Sequence, residues 1–354
     1  MRQASRKENM FEDINNNIGF ELVLALGGFL MSMFLTPIYT NFAYKHKLWK
    51  KQKSVAITGE ELTVMNKLHA KKIKRHFPTM AGIVFLVTVP TVILACNCLI
   101  REQTWIPVAA FVGGGLIGFI DDVINLFGKN AVAGLRAPVK FAMISALGLA
   151  LGWFFSVKLG WTALNIPFFE GHSIDIGWVA MTLVVAFAIV ATGNAVNISD
   201  GMDGLAGGLS MMAYGAYGVI ALLQEQWYLA GFCFVVVGAL LTYIWFNVYP
   251  ARFMMGDTGS FALGAGLGAV AIATRSFLLL PVIGGLFVVE AGSSLIQIIA
   301  KKFFHKKIFI SAPLHHHLQA KGWEESKVVM RFWIIGGVLA MLGVFLAMGG
   351  GIIR

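Results

Sequence analysis

The stretch from Ile176 to Gly193, IGWVAMTLVVAFAIVATG, is 18 residues long and carries no charged side chain. A run of that length crosses about 30 Å of hydrocarbon as a single helix. It continues into NAVNISDGMDGL, residues 194–205, where Asp200 and Asp203 stand just past its end. An apolar block that stops at carboxylates is the pattern from which the rest of the chain can be read.

Working outward, nine more apolar blocks appear. With the first they predict helical spans near 18–40, 78–99, 104–122, 138–157, 176–193, 204–223, 227–246, 259–274, 276–300 and 331–350. Only 13% of the 354 residues are charged, too few to cover the surface of a soluble domain, where about 25% is usual. The expected fold class is therefore all-α, a polytopic integral membrane protein of about ten transmembrane helices forming one unit over 1–354. No cleavable signal peptide is expected, because the first apolar block lacks a small-residue cleavage site. Cys96, Cys98 and Cys233 lie inside apolar blocks and form neither a CxxC motif nor a disulfide framework.

The net charge of +10 brings no recognition helix, finger or RNA-binding signature, so nucleic acid is not an expected partner. It fits loop topology instead. The loops 41–77, 123–140, 194–203, 247–258 and 301–331, with their flanking helix ends, hold 21 of the 28 Lys and Arg. The positive-inside rule places these loops in the cytoplasm and both termini outside. The basic start, Arg2 to Lys7, points the other way and is outweighed.

Of seven Asp, five lie at cytoplasmic ends of spans or just beyond: Asp121, Asp122, Asp200, Asp203 and Asp257. A charged carboxylate at the centre of a membrane helix costs roughly 2.5–3.5 kcal/mol on insertion scales. One such residue can be a cap. Five from different helices on one face point to shared chemistry. Carboxylates hold Mg2+, which is commonly shared with substrate phosphates, and nearby Lys and Arg attract the phosphates. Phosphoryl transfer involving a lipid is the chemistry these residue types suit.

Three segments sharpen this: Gly118 to Asp122 (GFIDD), Asn194 to Leu205 (NAVNISDGMDGL), and Met255 to Ser260 (MGDTGS) preceded by Asn247 and Pro250. In this order they resemble the polyprenyl-phosphate N-acetylhexosamine-1-phosphate transferase superfamily. Ala312 to His317 (APLHHH), with Lys321-Gly322-Trp323, and Lys74 with Phe77 to Gly82 (FPTMAG) resemble its phospho-N-acetylmuramoyl-pentapeptide-transferase branch. The resemblance runs from about residue 67 to 335. It implies transfer from UDP-N-acetylmuramoyl-pentapeptide to undecaprenyl phosphate, giving lipid I and UMP. The setting implied is the lipid bilayer of a bacterial plasma membrane, with a homodimer as a family expectation.

The resemblance also implies roles. Asp257 matches the Mg2+ ligand and Asp121 the base that deprotonates the lipid phosphate, with Asp122 beside it; which of the pair acts stays open. Asn194, Asn197, Asp200 and Gly256 match the nucleoside and diphosphate pocket, and Asp203 the position that reads uracil. Lys74, Thr79 and Lys140 match polar pocket residues. Asn247, Gln297, His315, His316 and His317 match positions near the sugar-peptide. The chain departs from the pattern at Asn125, where the family carries Lys, and at Met254, where it carries Phe, with Phe253 one place earlier.

Other readings of these features are weaker. Three adjacent His cannot share one helix face, which argues against a zinc site. Gly264, Gly266 and Gly268 lie within an apolar span with no strand before them, so close helix packing explains them better than a dinucleotide loop. Asn197-Ile198-Ser199 has the form of a glycosylation acceptor on the wrong side of the membrane. Glu290 is expected to be a buried, hydrogen-bonded acid or part of a helix bend. Two rival functions remain, the same chemistry with UDP-N-acetylglucosamine and a transporter or flippase. The histidine segment disfavours the first. Acids at one face, with no internal repeat, disfavour the second.

Overall fold

The computed structural model describes residues 2–49, 77–96, 98, 102–127, 134–167 and 173–351. Helix dominates. α1 (Arg2–Lys45), α2 (Gly82–Ala95), α3 (Glu102–Phe127) and α4 (Ala137–Trp153) come first, α4 being prolonged by a π turn over Phe154–Lys158. An antiparallel hairpin follows, β1 (Ala163–Asn165) with β2 (Ser173–Asp175), in register Leu164 opposite Ile174. Next come α5 (Gly177–Ser199), α6 (Leu205–Leu223), α7 (Trp227–Asn247) and α8 (Gly256–Ala273). The last are α9 (Leu280–Ile283), α10 (Gly285–Phe304), α11 (Leu314–Ala320) and α12 (Glu325–Gly349).

Hydrocarbon offers backbone groups no water, so a spanning segment must satisfy them internally, as a helix does. The described residues of the ten apolar stretches accordingly lie mostly on helix. Among the described residues, seven helices are long and apolar enough to cross a membrane. They are α1 (from Ile18), α3, α4, α5, α6, α7 and α12. The stretch expected as one span over 276–300 is broken: Phe277–Ile283 and Gly285–Phe304 meet at an 80° bend, the geometry of a broken span or a re-entrant loop, so seven or eight crossings stand where ten were expected. The remaining two are α2, with 14 residues, and α8, with 18.

α8 owes its character to its surroundings. Every one of its residues is buried. It is rich in Gly and Ala because protein, not lipid, surrounds it. A Cβ at Gly264 would stand 2.4 Å from the Thr192 carbonyl oxygen, and one at Gly268 would stand 2.7 Å from that of Ala188. Gly264 and Gly268 thus pack α8 against α5, and Gly266, where a Cβ would stand 2.5 Å from the Tyr214 hydroxyl, packs it against α6 and α3. Tyr214 of α6 donates a 2.8 Å hydrogen bond to the Leu263 carbonyl, fixing α8 from another side. The outer helices show apolar side chains to the surroundings, such as Ile334 and Phe345 of α12 and Phe34 of α1.

Candidate active site

The last turns of α3 and the first turn of α8 meet at one end of the bundle. The N-terminal N–H groups of a helix have no intrahelical acceptor. Asp122 of α3 supplies one: its Oδ2 accepts the Thr258 backbone N–H at 2.9 Å and the Thr258 hydroxyl at 2.8 Å. Gly256 opens α8 with φ +70, in the left-handed region that favours glycine. A Cβ there would stand 2.6 Å from Asp122 Oδ2 and 3.0 Å from Thr79 Oγ1. Glycine is required on both counts.

Asp121, Asp122 and Asp257 are buried, and each offers an oxygen within 4.8 Å of the others. Two carboxylates at that separation repel by roughly 3–4 kcal/mol at an effective dielectric constant of about 20. Lys140 of α4 lies among them: its Nζ is 3.0 Å from Asp121 Oδ2 and also donates to Asp257 Oδ2. The other oxygen of Asp121 accepts the Leu135 N–H at 2.7 Å. Three carboxylates and one ammonium leave a formal charge of about −2 at the positive end of a helix dipole. Hard oxygen donors with that charge fit a divalent cation of the magnesium class. This trio is the only group of acids, His and Cys among the described residues spaced to hold a metal.

Other expected residues adjoin the trio. Asn197 donates from Nδ2 to Ser260 Oγ at 2.8 Å, one turn into α8. Asn194 turns its amide onto its own helix, at the Val190 carbonyl. Thr79 sits in a segment stitched to the start of α8: Met254 N–H donates to Pro78 O, and Gly82 N–H to Met255 O. Asp200 is half-buried at the end of α5. Lys74 lies outside the described residues, and so does most of the loop 41–77.

Asp203 and Asn247 are brought together, one step from the trio. Asp203 Oδ2 accepts the Ala251 N–H at 3.0 Å. Asn247 accepts the Gly204 N–H at 2.8 Å and donates to the Phe253 carbonyl at 2.7 Å. Phe253 is buried in an aromatic cluster, edge-on to Tyr39 at 5.9 Å. Met254, where the family carries Phe, is half-buried beside it. Asn125 is buried in α3, one turn past the aspartate pair.

The histidine segment forms α11 and rests on α10. Glu290, Ser293 and Gln297 recur along α10 at helical spacing and all three are buried. Glu290 Oε2 pairs with His315 Nδ1 at 2.7 Å, and its Oε1 accepts the His315 N–H at 3.2 Å. Ser293 Oγ accepts the Leu314 N–H at 3.0 Å. Gln297 Oε1 accepts Ile308 and Phe309 N–H at 3.1 and 3.0 Å. Glu290 is thus the hydrogen-bonded acid of the two readings the sequence left open. His315 and His316 reach the other motif: a Cβ at Gly201 would stand 2.4 Å from His315 Nε2 and 3.3 Å from His316 Nε2. His317 accepts the Ile310 N–H at its Nδ1 at 3.1 Å.

Sequence reasoning missed Thr258, Ser260, Ser293 and Glu325. Thr258 and Ser260 were inside the quoted MGDTGS segment. Glu325 accepts the Asp203 N–H at 2.8 Å from far along the chain, and no local pattern marks it.

The profile of glycosyl transferase family 4 matches residues 104–275, a region that contains the trio, Lys140 and the 194–205 segment. A phospho-N-acetylmuramoyl-pentapeptide-transferase of Geobacillus thermodenitrificans is 39% identical over 331 residues, which is 92% of this chain and 97% of the relative. Enzymes of the same name from Bacillus mycoides and Bacillus anthracis are each 40% identical over the same shares. Those alignments extend past the profile match.

Proposed function

The chain belongs to the phospho-N-acetylmuramoyl-pentapeptide-transferase family, and we propose that it carries out the family reaction at the carboxylate trio. Phospho-N-acetylmuramoyl-pentapeptide passes from its UDP donor to undecaprenyl phosphate, giving lipid I and UMP. The single observation that carries this reading is the buried cluster of Asp121, Asp122, Asp257 and Lys140 at the start of α8. A phosphate oxygen of the lipid attacks the sugar-side phosphorus, and the bond from that phosphorus to UMP breaks.

Asp257 would hold Mg2+, which when bound supplies charge neutralisation on the diphosphate. Asp121 takes the proton of the lipid phosphate at an oxygen otherwise facing Lys140. The hydrogen bonds from Thr258 to Asp122 favour Asp121 over its neighbour as the base, since Asp122 already anchors α8. Lys140 and the N-terminus of α8 draw the donor phosphates in. Asn194, Asn197, Asp200, Asp203 and Gly256 form the nucleoside and diphosphate side, with Lys74 and Thr79 as polar neighbours. Asn247, Gln297, His315, His316 and His317 serve the sugar-peptide side, Gln297 by fixing the backbone that leads into the histidines. The seat of α11 beside Gly201 supports this branch over UDP-N-acetylglucosamine transfer.

In the membrane we place the trio at the cytoplasmic face of a bacterial plasma membrane, in a single unit of ten spans with both termini outside. A homodimer is part of the same reading. The test is direct. Purified protein is incubated with undecaprenyl phosphate and each UDP-sugar in turn, with Mg2+ or with EDTA. UMP is expected only with the muramoyl-pentapeptide donor and Mg2+. UMP from UDP-N-acetylglucosamine alone would transfer the assignment to the rival enzyme.

A further inference from the structure

At the far end of α8, roughly 25 Å along its axis from Asp257, a cavity of about 150 Å³ lies between the β1–β2 hairpin and the turn after α8. Trp161, Thr162, Asn165, Ser173, Met181 and Arg275 line it. None of them belongs to the reaction site described above.

Arg275 lies in the turn that closes α8. Arg275 N–H donates to Ile272 O at 2.8 Å and Ser276 N–H to Ala271 O at 3.1 Å, the paired bonds that close a helix end. The residue between them must be left-handed, and glycine is the usual occupant. Here it is Arg275, with φ 53. A Cβ in that conformation carries a steric cost that glycine avoids. The same left-handed close on a residue other than glycine ends α1 at Lys47 and α6 at Glu225. The guanidinium lies over the Trp161 ring at 4.7 Å. Among the described residues, no ion pair engages it. Asp175, the acid among the described residues of the hairpin, accepts the Gly177 N–H instead.

The level in the membrane is also marked. Trp153 at the end of α4 and Trp178 at the start of α5 are 47% and 54% exposed at this same end of the bundle. Exposed Trp gathers where hydrocarbon meets headgroups. A guanidinium that no carboxylate among the described residues engages, with amide and hydroxyl groups around a cavity at that depth, suits a phosphate.

We propose that this cavity binds the phosphate group of an anionic lipid headgroup, with Arg275 as the charged contact and Trp161 as its support. The site is separate from the transfer reaction.

The test uses the full chain, purified and stripped of lipid in neutral detergent. Native mass spectrometry counts adducts as phosphatidylglycerol, phosphatidylcholine or inorganic phosphate is added. Arg275→Gly removes the cation and relieves the left-handed strain, so it is expected to melt no lower than the parent protein. One tightly held phosphatidylglycerol is expected on the parent and about tenfold weaker binding on Arg275→Gly, since a charge-assisted hydrogen bond is lost. Phosphatidylcholine, whose phosphate is offset by its own quaternary ammonium, should bind the parent less tightly than phosphatidylglycerol and lose less on Arg275→Gly. If inorganic phosphate binds with the same dependence on Arg275 and displaces the lipid, the site stands and its ligand is the free anion. Equal phosphatidylglycerol binding by parent and Arg275→Gly would overturn the proposal, as would equal binding of the two lipids at this site.

Discussion

Asp121 and Asp122 are neighbours in sequence, yet their surroundings divide their work. Asp122 accepts two hydrogen bonds from Thr258 and so holds the first turn of α8. Asp121 faces Lys140 and the Leu135 N–H. Asp121→Asn and Asp257→Asn are therefore expected to lower turnover by about 10²–10⁴-fold while the protein stays monodisperse and melts near the parent temperature. Asp122→Asn should behave differently. It weakens an anchor of α8, so a lower melting temperature, corresponding to roughly 1–3 kcal/mol, should accompany the loss of activity. If Asp122→Asn kept full stability and lost only turnover, the division of labour would be wrong. Gly256→Ala meets Asp122 at 2.6 Å in a left-handed conformation, and both stability and turnover should fall.

At the scale of elements, α10 acts as a rack. Its polar stripe of Glu290, Ser293 and Gln297 accepts the backbone N–H groups of residues 308, 309, 314 and 315. A buried polar residue in a helix of a membrane protein is costly unless partnered, and here the partner is a second segment of the same chain. Gln297→Ala leaves three backbone groups of Ile308 and Phe309 without these bonds. Hydrogen exchange over 306–312 should rise, with exchange in α8 unchanged. Glu290→Ala should loosen α11 and lower turnover with the muramoyl-pentapeptide donor, because His315 loses its support at Nδ1. Unchanged exchange over 312–320 in that variant would count against the role given to Glu290.

At the scale of the whole molecule, the bundle is organised around α8, which joins a polar end at Asp257 to the cavity at Arg275. From the distribution of Lys and Arg we propose that the polar end faces the cytoplasm. Single cysteines test this in a Cys96→Ser background, since Cys98 and Cys233 are buried. A cysteine at Lys306 should react with an impermeant maleimide only in inside-out vesicles. One at Gly160 should react only in right-side-out vesicles. The opposite pattern would invert the orientation.

Much of this protein was legible before any coordinates. Long uncharged runs such as 176–193 must become helix wherever water is excluded, and acids at their ends are too costly to be incidental. Those are local properties, so the helices and the identities of Asp121, Asp122 and Asp257 could be read from neighbouring residues. Three things could not. The bend at Gly284 reflects how α9 and α10 pack against α12, and an apolar run looks alike bent or straight. The pairing of Asp122 with Thr258, and of Glu290 with His315, joins residues 136 and 25 positions apart. The last is the position of Arg275, set between a helix end and a distant hairpin. Each depends on which surfaces meet once the chain has folded, a choice made by close packing between elements that no single stretch contains.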